Sequence, residues 1–215
     1  MKLGPDEVRE CPACHVFVRR TTIVSGNTFG MRRFTDGWVE TPMLPRQPRI
    51  VKCPGCSMCF WLLRSRIVGH VDRDWCTSDA GVPPEWRAAE RVCLPDEQDY
   101  YRALRNGLAN GLSEERDVRI EAWWRSNDPA RYPDAHADAP HAGPGEREAN
   151  LRALIPLLDE SESQWLIMKA EALRELSRFD EALALLDRID EPALRAAAAR
   201  IRTLCVAREA SLKEL

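Results

Sequence analysis

The chain of 215 residues has no apolar run near the ~20 residues that a helix needs to span a bilayer, which excludes a transmembrane helix. Its first residues, MKLGPDEVRECPAC, contain no apolar core, so no secretory leader is expected and the protein is read as cytoplasmic. Lysine is scarce: 27 of the 31 basic residues are arginine, which is read as genome composition rather than mechanism. Nucleotide signatures are missing too. SGNTFG (25–30) lacks the Lys-Ser/Thr of a phosphate-binding loop and the three glycines of a dinucleotide fingerprint, and is read as a turn. The four histidines, His15, His70, His136 and His141, adjoin no serine or carboxylate motif. No nucleophile–base pair is visible, and a catalytic role is not expected.

Cysteine, by contrast, is plentiful. The chain has eight, and in a reducing compartment clustered cysteines point to metal rather than to disulfides. The hydrophobic share of 44% and the charged share of 30% are those of an ordinary soluble protein. Charge is uneven. Residues 1–75 carry +5, residues 76–150 carry −6 and residues 151–215 carry −2, making up the net −3. A basic head on an acidic body hints at an anionic partner, though four thiolates around a divalent ion would lower the head to about +3.

CPAC (11–14) and CPGC (53–56) are two Cys-Pro-x-Cys turns, each followed by a strand-like run. Two thiolates three residues apart on a tight turn can face one ion about 2.3 Å away, and a second such turn completes a tetrahedral shell. The paired turns resemble the zinc ribbon, and the resemblance implies a structural zinc held by Cys11, Cys14, Cys53 and Cys56. Two features depart from that pattern. The 38 residues between the turns exceed a short hairpin, so 25–49 reads as an insertion. His15 and Ser57 stand where a glycine often follows each turn.

Two rival readings fit the pattern less well. A thioredoxin-like redox motif would need a βαβ unit around one turn, and none surrounds either. An iron–sulfur site on Cys53, Cys56 and Cys59 would leave CPAC unexplained. Cys59, beside Phe60 and Trp61, is read as a small buried hydrophobe. His15 would point away from the ion, and His70, Cys76, Cys93 and Cys205 are assigned to packing.

The fold class expected is α+β, a small β-rich zinc ribbon followed by a helical domain. Residues 1–75 form the ribbon with its insertion, 76–126 a helical segment, 127–150 a linker or mobile loop, and 151–215 helical hairpins. Asp36-Gly37 gives a hairpin signal. Asp96 caps the first helix, with Ser113, Asn150 and Asp180 as caps of later ones. His136 and His141 are read as solvated linker residues. The run 163–196 resembles one tetratricopeptide repeat: Ala170 and Ala182 fall on its small positions, Leu173, Leu186 and Ile189 on apolar ones, and Pro192 near its terminal proline. The aromatic usual at the Leu173 position is missing.

These resemblances imply a zinc-binding, non-catalytic adaptor with a protein partner and no membrane. The alternative is nucleic-acid binding by the basic half. It would use Arg19, Arg20, Arg32, Arg33, Arg46, Arg49, Lys52, Arg64 and Arg66, with Phe29, Phe34 and Trp38 for stacking.

Overall fold

The computed structural model describes residues 1–72, 81–134 and 143–215. Cys76, His136 and His141 lie outside the described residues. In chain order the strands are β1 (Lys2–Leu3), β2 (Asp6–Glu10), β3 (Phe17–Arg20), β4 (Ile23–Ser25), β5 (Arg32–Arg33), β6 (Val39–Glu40), β7 (Ile50–Lys52), β8 (Cys59–Trp61), β9 (Ile67–Val71) and β10 (Glu90–Arg91). The helices are α1 (Pro84–Ala88), α2 (Glu97–Arg105), α3 (Leu112–Ser126), α4 (Asp128–Arg131), α5 (Pro144–Leu154), α6 (Ser163–Glu175), α7 (Phe179–Leu186) and α8 (Arg195–Val206). The class is α+β. No helix among the described residues is long and apolar enough to cross a membrane.

The chain divides into two compact units, Met1–Met31 with Glu40–Leu108, and Arg32–Val39 with Ala109–Leu215. This division differs from the one the sequence suggests. The expected helical segment 76–126 is split, since α2 belongs to the first unit and α3 to the second. Part of the expected insertion, 32–39, is counted with the helices.

In the first unit a four-stranded sheet has the order β10–β3–β2–β9, with β10 parallel to β3 and the other pairs antiparallel. Val8 and Val18, central in that sheet, are fully buried, and Val18 packs with Val51 and Phe60 of the β7–β8 hairpin and with Leu62 just after it. Gly69 on β9 meets α1: a Cβ there would fall 2.0 Å from the Trp86 ring, so only glycine lets the indole lie on the strand. Helix α2 opens on a reciprocal cap, Asp99 N–H to Asp96 Oδ1 at 2.7 Å and Asp96 N–H to Asp99 Oδ2 at 3.1 Å. The Asp99 carboxylate also pairs with Lys52 of β7, and the Trp61 Nε1–H donates to the Leu108 carbonyl at 3.0 Å. Those bonds tie α2 to the second hairpin.

The second unit holds two apolar clusters. Ile120, Trp123, Leu151, Leu154, Met168 and Ala172 join α3, α5 and α6. Ile167, Ala170, Leu173, Phe179, Ala182, Leu186 and Ile201 join α6, α7 and α8. Ala170 and Ala182 are fully buried, which is what close helix packing requires. The α6–α7 turn places Ser177 at φ 60°, a left-handed helix end made without glycine. Of the expected caps, Asp96 serves as one. Ser113 lies inside α3 and Asp180 inside the first turn of α7. Asn150 sits within α5, and its Nδ2 donates to the Arg119 carbonyl at 3.0 Å.

The segment 127–150 is helical at both ends, in α4 and the first part of α5. Its polar composition misleads because Asn127, Asp128 and Arg131 are buried among charged partners. Arg131 pairs with Asp36 and Asp128, and Asn127 Nδ2 donates to Asp36 Oδ2 at 3.0 Å and Glu175 Oε1 at 3.1 Å. Asp36 lies in the turn of the β5–β6 hairpin, closed by Gly37 N–H to Phe34 O at 3.0 Å. Trp38 stacks edge-on against Trp124 at 5.3 Å, and the C-terminal residues pair antiparallel with Arg33–Thr35.

Glu175 is at the centre of this network. Trp123 Nε1, Asn127 and Arg147 all donate to it, yet burial, reinforced by the neighbouring Glu171 charge, pushes its carboxyl up to about 8. A carboxyl whose folded value lies above its ordinary 4.5 favours the folded state at acid pH, and that contribution is lost as pH rises through about 8. Asp36, also raised by burial, acts with the same sign. Glu175→Gln is expected to flatten the fall in stability of the second unit across this window. Urea midpoints at several pH values would measure it, and an unchanged slope would exclude Glu175 as the titrating group.

Candidate metal centre

Each Cys-Pro-x-Cys turn sits at the tip of an antiparallel hairpin. The first lies between β2 and β3, whose register pairs Glu10 with Phe17. The second lies between β7 and β8, where Lys52 faces Cys59. The two turns have the same hydrogen bonding. Cys11 N–H donates to Val16 O at 3.0 Å and His15 N–H to Cys11 O at 3.0 Å; Cys53 N–H donates to Met58 O at 3.0 Å and Ser57 N–H to Cys53 O at 2.9 Å. His15 and Ser57 both adopt φ 61°, the left-handed conformation that explains why glycine is common at these positions. Its cost for a residue with a Cβ is ~1–2 kcal/mol.

The four sulfurs of Cys11, Cys14, Cys53 and Cys56 lie within 4.8 Å of one another. Cys11 Sγ is 3.8 Å from Cys56 Sγ, and Cys14 Sγ is 3.7 Å from Cys53 Sγ. Disulfide sulfurs would be ~2.05 Å apart, so these are free thiols. A tetrahedral shell with metal–sulfur bonds of ~2.3 Å has edges of ~3.8 Å, which matches the two short separations. The donor set therefore fits one metal ion.

Backbone N–H groups from both turns aim at the sulfurs. The Val16 N–H lowers the Cys14 thiol to about 7. Burial instead pushes Cys53 up to about 12, against the N–H groups of Cys56 and Gly55. The Met58 N–H reaches Cys56 as Val16 reaches Cys14, two residues on in each turn. Such N–H···S bonds spread the negative charge of a thiolate shell.

Cys59 stays outside the cluster. Its sulfur is 3.9 Å from the Asp99 carbonyl, and burial pushes the thiol up to about 11. His15 turns away from the sulfurs, its Nδ1 lying 2.7 Å from Glu10 Oε1, and Arg66 holds the other oxygen of that carboxylate. Cys205 is buried among the apolar side chains of the second unit, while Cys93 and His70 are exposed.

The aromatic and basic residues available for recognition are dispersed. Phe34 is buried in the second unit, under Arg131 and Arg32 at 5.0 Å each. Arg32 pairs with Glu214 at 2.8 Å, Arg66 pairs with Glu10, and Arg20 bonds Gln47 and Glu7. Arg49 and Arg64 stack on Trp61, at 5.5 and 5.2 Å. Only Phe29 of the three proposed stacking rings stands free in solvent, 85% exposed. No family model, curated protein or solved structure matches this chain.

Proposed function

We propose that the protein is a zinc-stabilised, non-catalytic adaptor that docks a protein partner. The observation that carries this reading is the apolar surface of the insertion. Phe29 is exposed at a turn tip, and Val24, Met31, Met43 and Leu44 are exposed on the same two arms of the first unit. The arms are held close: a Cβ at Gly26 would fall 2.1 Å from the Met43 carbonyl, so glycine is required there. Phe29 N–H donates to Asn27 Oδ1 at 3.0 Å, fixing the turn beneath the ring. A rigid exposed aromatic among flexible methionines suits a protein interface.

Zinc is the metal we assign, because four thiolates on two rigid turns favour a soft, tetrahedral ion. Cys11, Cys14, Cys53 and Cys56 would hold it, and a closed shell leaves no position for an activated water. The zinc-ribbon resemblance supports the same assignment. Free thiols support a cytoplasmic location. Packing of α6 on α7 about Ala170 and Ala182 supports the tetratricopeptide-like reading of 163–196, with Leu173 in place of the usual aromatic.

Nucleic-acid binding has less support, since Arg20, Arg32 and Arg66 are engaged by acids and Phe34 and Trp38 are packed in the second unit. Affinity capture with mass spectrometry, with and without nuclease, tests the two readings. A nuclease-resistant, salt-tolerant protein partner is expected, and Phe29→Ser should weaken it by ~1–3 kcal/mol with zinc still bound. Recovered DNA or RNA with steep salt dependence would overturn the adaptor reading.

A further inference from the structure

A groove of about 370 Å³ opens in the first unit where β3 meets the chain leaving β10. That volume lies within the range of ligand-binding clefts. Its walls are largely apolar, with Ile23, Pro48, Val92 and Leu94 among them, and Leu94 is 56% exposed. Arg19, Arg20 and Arg91 also line it, and among the described residues no carboxylate does.

Two of these arginines place like charges side by side. Arg91 and Arg19 are register partners on adjacent parallel strands, a placement of like charges that costs stability. Arg19 Nε donates to the Ala89 carbonyl at 2.7 Å, and among the described residues it forms no ion pair. Arg91 reaches Asp6 at 3.3 Å with 60% of its side chain exposed. Arg20 bonds Gln47 Oε1 at 3.0 Å and Glu7 at the longer 3.4 Å. A bound anion would relieve this repulsion, while the apolar walls call for more than a bare anion.

We propose that this groove binds an acidic peptide segment carrying an apolar anchor, the anchor seated against Val92 and Leu94 and a carboxylate between Arg19 and Arg91. The proposal rests on the adaptor reading and names a partner chemistry for it.

Fluorescence anisotropy on the zinc-loaded full chain tests it, with a labelled peptide of alternating Glu and Leu. Peptides of alternating Lys and Leu, and of Glu and Ser, are the controls. The Glu-Leu peptide should bind, with each control weaker by about tenfold or more. Arg19→Gln with Arg91→Gln should lose about tenfold, and so should Leu94→Ser, which alters an exposed side chain and spares the core. Zinc content and circular dichroism should be unchanged in both. Equal binding by the variants, or by the Lys-Leu peptide, would overturn the proposal. Displacement by an oligothymidine would assign the groove to a nucleic-acid backbone instead. If no peptide binds while a Phe29-dependent partner is still captured, the groove proposal fails and the adaptor reading stands. If the peptide binds but no partner is captured, the adaptor reading lacks its partner and the groove proposal stands.

Discussion

Removing the metal from reduced protein with a strong chelator will unfold the two cysteine hairpins. The four sulfurs gather from two turns 38 residues apart, and Cys11 and Cys53 are fully buried beside Val18, Val51 and Phe60. Without an ion, four thiols must share this space, with Cys53 already pushed up to about 12 by burial. Structural zinc supplies ~10 kcal/mol or more, which is then folding energy for the hairpins. Elemental analysis should find one zinc per chain. Cys14→Ser and Cys56→Ser should lose it, whereas Cys59→Ser should keep it and cost only packing. Iron in the purified protein, or a Cys59→Ser variant without metal, would overturn the assignment. The clusters around Trp123 and Ile201 contain none of these residues, so the helical circular dichroism should persist after chelation.

The second large effect lies in the buried ion network. Arg131 is fully buried, paired with Asp36 and Asp128, and stacked at 5.0 Å on Phe34 and 5.2 Å on Trp38. Replacing it with methionine preserves much of its volume but leaves the Asp36 carboxylate buried without its cation. Breaking a buried pair from one side costs ~3–5 kcal/mol. Burial already raises the Asp36 carboxyl, and Arg131 is the main charge opposing that rise. In the variant Asp36 should therefore hold its proton to higher pH. A group whose folded value is raised stabilises below its unfolded value and loses that contribution as pH rises. The variant's deficit is thus expected to be smaller at pH 5 than at pH 8, measured by urea unfolding of the helical signal. Adding Asp36→Asn should recover part of the loss at pH 8. A deficit under ~1 kcal/mol would mean that water reaches the pair.

What could be read from the sequence is the local chemistry. Cysteine turns, the Asp36-Gly37 hairpin and the Asp96 cap each depend on neighbours within a few residues, and those neighbours are adjacent in the text. Even the left-handed residues leave a trace, because His15 and Ser57 occupy places where glycine is usual. Partners distant in sequence are not legible in this way. NDPARYP looks like linker because its polar residues have no visible use until Asp36 and Glu175 are brought to them. Phe34 and Trp38 look like a recognition surface because nothing nearby in sequence covers them. A composition shift likewise cannot show that α2 belongs with the hairpins, since its ties run through Lys52 and Trp61.

The hairpin at 32–39 sets a timetable for synthesis. Its Asp36 carboxylate waits 95 residues for the Arg131 guanidinium, and Thr35 waits 178 for the Lys213 amide. At ~5–20 residues per second, the first delay is roughly 5–20 s and the second roughly 10–35 s. Throughout the first delay Phe34 and Trp38 lack the Trp124 and Arg131 side chains that cover them. The nascent chain would thus display two aromatic rings to chaperones until α3 and α4 are made, and rare codons ahead of Arg131 would lengthen that display without changing one contact of the finished protein.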